Sequence, residues 1–121
     1  MSYAEEEVVA ALEGDAGVHA QAGDRIYPWP LPKDATFPAL TYYLVATPTT
    51  QALDASVFER RPQFTVTVWA EEPADRAATA AAVSACLLGM SGYVEMVNEG
   101  RDVPEPVTGL YRRDIDARLL R

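Results

Sequence analysis

Hydrophobic and polar positions alternate most cleanly from Gln63 to Ala70, where Phe64, Val66 and Val68 fall on one side and Thr65, Thr67 and Trp69 on the other. A period of two in β-branched and aromatic residues predicts a strand. Glu71-Glu72-Pro73 follows, and an alanine-rich segment then runs to Leu88. Pro73 suits the first turn of a helix, where its missing N–H costs nothing. Gly89 ends that helix, with Gly92 as a second breaker. Ala80, Val83 and Leu87 share one helical face, which is expected to pack on a sheet.

The flanking segments supply the rest of the architecture. Between Pro38 and Ala46, Leu40, Tyr42 and Leu44 alternate with Thr41, Tyr43 and Val45, predicting a strand covered on both faces. Thr47 to Arg61 is a connection of about 15 residues, a length that marks a functional or mobile loop. The strands on either side of it are expected to pair as an antiparallel hairpin. Tyr93 to Asn98 predicts a third strand with Val94 and Met96 on one side, and Glu99 to Pro106 a polar loop. Val107 to Leu119 predicts a last strand, with a break near Gly109. In it Tyr111, Arg113, Ile115, Ala117 and Leu119 alternate with Arg112, Asp114, Asp116 and Arg118. The second set is entirely charged, which predicts a face turned to water or to a partner.

Upstream, Ser2 and Glu5 fit a capping box opening a first helix. Val8 and Leu12 share its buried face, with Val9 and Ala11 alongside. Gly14 is expected to end it in a left-handed conformation. Asp15 to Gln21 suggests a short further helical turn. Pro28, Pro30 and Pro32 force an extended path anchored by Ile26, Tyr27 and Trp29. The order α-β-β-α-β-β predicts an α+β fold: one mostly antiparallel sheet of about four strands with two main helices packed on it, in a single domain over residues 1–121.

Composition narrows the function. About half of the 121 residues are apolar (49%) and 23% are charged, as in globular chains. The formal net charge of -8 repels phosphate backbones and argues against direct nucleic-acid binding. Glu5-Glu6-Glu7 and Glu71-Glu72 suit the first turns of helices, where carboxylates complement the dipole. The single cysteine, Cys86, rules out an intrachain disulfide and reads as a small buried hydrophobe. No basic region followed by an apolar run opens the chain, and no apolar stretch approaches bilayer length, so synthesis in the cytoplasm is expected.

The chemistry-bearing residues are sparse. His19 is the one histidine, with Asp15 as its local carboxylate, and its expected state is exposed at a helix end. One histidine and one cysteine make a zinc site untenable. Carboxylates are plentiful but lie beside glycine, proline or basic residues, away from the apolar settings that tune catalytic acids. Gly89-Met90-Ser91-Gly92 lacks the lysine and helix start of a phosphate loop. Tyr27, Trp29, Tyr42, Tyr43 and Trp69 are aromatic platforms without interleaved basic residues, which suits core or interface. Neither catalysis nor a cofactor or metal is expected.

Several segments, in order, resemble one family. They are Gly23-Asp24-Arg25-Ile26-Tyr27-Pro28 after a short helix, the tyrosine-rich Phe37-Pro38-Ala39-Leu40-Thr41-Tyr42, the strand end Val66-Thr67-Val68-Trp69-Ala70, and Thr108-Gly109-Leu110-Tyr111-Arg112 opening the last strand. Together they resemble the small tail-completion or tail-terminator proteins of long-tailed bacteriophages, prophages and gene transfer agents. The resemblance covers nearly the whole chain. It implies an α+β subunit without catalytic residues that forms a homo-oligomeric ring, typically a hexamer. The ring would cap the tail tube and join it to the head connector or head-closure protein. It would end in the virion's tail and neck, with DNA passing through unbound.

On that reading the long connection is the natural arm toward a neighbour, and Thr49, Thr50, Gln51, Leu53, Phe58, Arg60 and Arg61 are candidate interface residues. Glu95, Glu99, Asp102 and Glu105 are candidate lumen-facing acids, which would repel passing phosphates. Another neck component, head-closure or tail-tube subunit, is the nearest alternative. A small-ligand-binding α+β domain using the aromatic cluster is the alternative from a different class.

Overall fold

The computed structural model describes residues 3–46, 49–51, 58–60, 63–90, 94–103 and 108–119. Ser2, Leu53, Arg61, Gly92 and Glu105, on which expectations were placed, lie outside the described residues. The elements run α1 (Tyr3–Gly14), α2 (Ala16–Ala22), β1 (Ile26–Pro28), β2 (Ala39–Ala46), β3 (Thr49–Gln51), β4 (Phe58–Arg60), β5 (Gln63–Ala70), α3 (Pro73–Leu88), β6 (Val94–Val103) and β7 (Tyr111–Leu119).

The fold is α+β. Its main sheet has the order β1-β2-β5-β7-β6, antiparallel throughout except where β1 joins β2 in parallel. The expected hairpin of β2 and β5 is present, with Leu40, Tyr42 and Leu44 opposite Val68, Val66 and Phe64. β5 pairs on its other side with β7, placing Val66 opposite Ile115 and Phe64 opposite Ala117. These residues form the helix-covered face. They share a core with Val8 and Leu12 of α1, Val18 and Ala22 of α2, and Ala80, Val83, Cys86 and Leu87 of α3. Burying side chains of this size on facing layers is the main favourable term in the fold.

Local chemistry sets the helix ends. Asp15 caps α2: its Oδ1 accepts a hydrogen bond from the Val18 N–H at 2.9 Å. The turn therefore extends to Ala22, one residue past expectation, and Gly23 follows at φ 59, a conformation open to glycine. Gly14, by contrast, does not take the expected left-handed conformation. Among the described residues the positive-φ glycines are Gly23 and Gly109, and the capping by Asp15 makes such a turn unnecessary at residue 14. Pro73 opens α3 as expected, and the Gly89 N–H closes it on the carbonyls of Ala85, Cys86 and Leu87.

Three segments depart from the sequence reading. The proline-rich stretch contributes a true strand, β1, so the sheet has five strands rather than about four. Because β1 and β2 run the same way, residues 29–38 must return along the sheet. This return includes cis peptide bonds before Pro30 and Pro38. The connection after β2 is not a structureless loop: β3 and β4 pair as a separate antiparallel ribbon. β6 extends to Val103 through most of the stretch expected as a loop, with register irregularities between Met96 and Asn98 and between Asn98 and Arg101. Those irregularities broke the alternation that would have announced the strand.

Candidate functional site

His19 is exposed, with the fully exposed Asp24 carboxylate 4.0 Å from its Nδ1, while Asp15 caps α2. Cys86 is 7% exposed, and its Sγ–H donates to the Ala11 carbonyl at 3.3 Å. Burial, with the nearby Asp15 carboxylate, pushes the thiol up to about 11, so it is neutral at ordinary pH. Among the described residues no cluster of histidine, cysteine, aspartate or glutamate could hold a metal, and no helix is long and apolar enough to cross a membrane.

The second face of the sheet holds a structure that sequence reasoning missed. The charged set on β7 was expected to meet water or a partner, yet Asp114 is 2% exposed and Asp116 8%. They are held from across the β5–β7 ladder, where Thr67 Oγ1 donates to Asp114 Oδ1 at 3.0 Å and Thr65 Oγ1 to Asp116 Oδ1 at 2.6 Å. Arg112 reaches forward along its own strand and grips Asp114 with two bonds, Nε to Oδ1 at 3.0 Å and Nη2 to Oδ2 at 3.2 Å. Its guanidinium lies 5.2 Å from the Trp29 ring and 5.3 Å from the Trp69 ring. Trp29 also meets Tyr43 edge-on, with centroids 5.5 Å apart. Trp69 Nε1 donates to Thr41 Oγ1 at 3.0 Å. The returning segment after β1 therefore roofs a polar layer whose members satisfy one another. The signal for it was present: Thr65-x-Thr67 and Asp114-x-Asp116 have matching spacing on strands that become neighbours.

At the Trp69 end of this face lies a groove of about 690 Å³, lined by residues that include Trp29, Pro30, Leu31, Phe37, Trp69 and Leu110, with Lys33 and Glu71 at its margins. Trp29 keeps 42% of its surface exposed. Trp69, in contrast, is buried within the chain at 6% exposed and acts as a packing anchor.

At the opposite end of β2 and β5 the chain continues into the β3–β4 ribbon. It places Thr49 opposite Arg60, Thr50 opposite Glu59 and Gln51 opposite Phe58. The candidate interface residues within the described part of the arm are thus brought together on one two-stranded element.

Of the candidate lumen acids, Glu95, Glu99 and Asp102 lie on β6. Glu95 stands opposite Arg118 and Asp102 opposite Arg113, toward the two ends of β6. Asp102 is engaged by two cations. Arg113 binds it with Nε to Oδ1 at 2.6 Å and Nη2 to Oδ2 at 3.3 Å, and Arg76 of α3 approaches to 3.4 Å. The hydrogen bond from Arg113, assisted by both positive charges, holds its carboxyl below the usual range. Gly100 permits this arrangement, because a Cβ there would lie 2.9 Å from Arg113 Cδ.

Comparison with known proteins fits this fold. No curated protein matches the chain at a significant level. Among solved structures, a chain described as "Virion of native gene transfer agent (GTA) particle" matches with a TM-score of 0.70 at 22% identity, over 98% of each chain, so the two share a fold. A family model described as tail completion protein gp17 matches residues 6–120. The chain belongs to that tail-completion family and is a structural protein of a phage-type tail.

Proposed function

We propose that this chain closes into a ring at the head-proximal end of the tail tube and joins the tail to the head connector, without catalysing a reaction. The observation that carries the reading is the β3–β4 arm. Three residues per strand make a ribbon too small to be stable alone in water. It gains stability on a neighbour's surface, and a ring is the closed form of such head-to-tail contacts. Six copies are expected from the family resemblance, with the tail-tube protein below and the connector or head-closure protein above. Of the proposed lumenal acids, Asp102 is neutralised by Arg113 and Arg76. Repulsion of passing DNA would then rest on Glu95, Glu99 and Glu105.

Native mass spectrometry and light scattering over a concentration series test the ring. Deleting residues Ala52 to Ser56 should abolish head–tail joining while circular dichroism remains unchanged; joining that persists would refute the arm's role. The groove beside Trp29 favours one other reading, a small-ligand-binding domain. A strict monomer carrying a tightly bound small molecule would establish it in place of the ring.

A further inference from the structure

We propose that the arm and the groove are the two halves of one contact, in which the β3–β4 arm of one copy seats in the groove beside Trp29 and Trp69 of the next. This rests on the ring reading and supplies its contact. Three observations carry it.

The first is placement. The arm leaves the sheet beyond Leu44 and Phe64, and the groove lies at the end marked by Ala39 and Trp69. Strands of eight residues at about 3.3 Å per residue separate the two by roughly 25 Å. The arm is therefore attached at the end of the sheet far from its own groove, so the groove is assigned to a neighbour's arm. Different patches at opposite ends of one subunit make a heterologous contact, the kind that generates rings.

The second is surface character. The groove offers an exposed Trp29, Leu31, Phe37 and Leu110 between prolines that lack N–H donors. Large apolar anchors in a concave site are what an interface centre requires. The arm's sequence supplies Ala52, Leu53, Ala55, Val57 and Phe58.

The third is charge. Copies of a chain with net charge -8 repel one another at long range, so contact needs local opposite charge. Glu71 lines the groove, and the exposed Asp34 and Glu72 adjoin lining residues in sequence, which outweighs the one lining lysine, Lys33; the arm's sequence carries the adjacent pair Arg60-Arg61.

The test uses the full chain. Thr50→Cys and Lys33→Cys proteins are prepared separately, mixed, and treated with a short bismaleimide at neutral pH, where buried Cys86 does not react. A cross-linked dimer should form in the mixture and not in either preparation alone. Arg60→Glu/Arg61→Glu should raise the concentration needed for assembly roughly tenfold. Adding Asp34→Lys/Glu71→Lys to the same chain should restore it. Cross-linking keeps the test independent of whether the reversed variant folds. Rings that assemble without the cross-link overturn the docking and leave the ring reading intact. A chain that stays monomeric at every concentration overturns both.

Discussion

Replacing Asp114 by Ala tests whether the polar layer on the second face of the sheet holds the fold together. The carboxylate accepts from Thr67 Oγ1 at 3.0 Å and from Arg112 Nε and Nη2 at 3.0 and 3.2 Å. Its side chain is 2% exposed and that of Arg112 17%, so solvent screens the pair weakly. Truncation leaves a fully buried Thr67 hydroxyl without this acceptor, at a cost of about 1–3 kcal/mol. Removing one partner of a buried ion pair costs about 3–5 kcal/mol. The two penalties share one carboxylate and do not add, so the expected total is about 3–5 kcal/mol, a large fraction of the roughly 5–15 kcal/mol that stabilises a typical domain. Urea unfolding followed by tryptophan fluorescence should show the loss, and the melting temperature should fall by about 10 °C or more. A second variant separates pairing from packing: in Thr67→Val/Arg112→Met/Asp114→Val all three polar groups leave together. It should recover most of the loss, short of about 1 kcal/mol for the cation stacked on Trp29 and Trp69. An Asp114→Ala cost below about 1 kcal/mol, or a triple variant as unstable as the single one, would refute the account.

Three further outcomes are expected. Cys86, pushed up to about 11 by burial, should resist iodoacetamide at pH 7.5 in the native protein and react quickly in urea; since its folded value exceeds its unfolded one, its contribution to stability is complete below pH 9 and fades as pH rises toward 11. Asp102 has the opposite sign: its carboxyl is held low by Arg113, so its contribution is complete above the unfolded carboxylate range, near pH 4, and fades as pH falls through the lowered value. Asp102→Asn should therefore flatten the acid limb of a stability profile, measured as urea midpoint against pH. Thr79 is fully buried in α3 with a hydroxyl that has no hydrogen-bond partner among the described residues, so Thr79→Val should raise stability by about 1 kcal/mol, visible as a higher melting temperature.

What could be read from the sequence follows from how far each signal reaches along the chain. β5, α3 and the hairpin of β2 with β5 rest on periodicity within one segment, and they appear where the pattern places them. So does the apolar side of β7, where Ile115 and Ala117 enter the core. The charged side was misjudged because burial of Asp114 and Asp116 depends on Thr67 and Thr65, some fifty positions earlier, and on a segment returning from β1. Charge alone predicts exposure; only the pairing of β5 with β7 reveals the acceptors' donors. β1 escaped notice because three residues among prolines carry no alternation. The arm's strands were hidden for a similar reason, being too short for a period to repeat. Asp102 was placed in a loop because the irregular pairing of β6 interrupts the pattern just before it.

The matched threonines and aspartates have a consequence for how the sheet finds its alignment. Sliding β7 by two residues along β5 would keep every side chain on its proper face, so hydrophobic burial alone discriminates weakly against that error. Such a slip would set Thr67 opposite Asp116 or Thr65 opposite Asp114, leaving the other hydroxyl and the other carboxylate buried without each other. The stranded threonine hydroxyl alone carries a penalty of about 1–3 kcal/mol. The ladder thus acts as a two-tooth key, and the central strands can engage at full depth in one alignment.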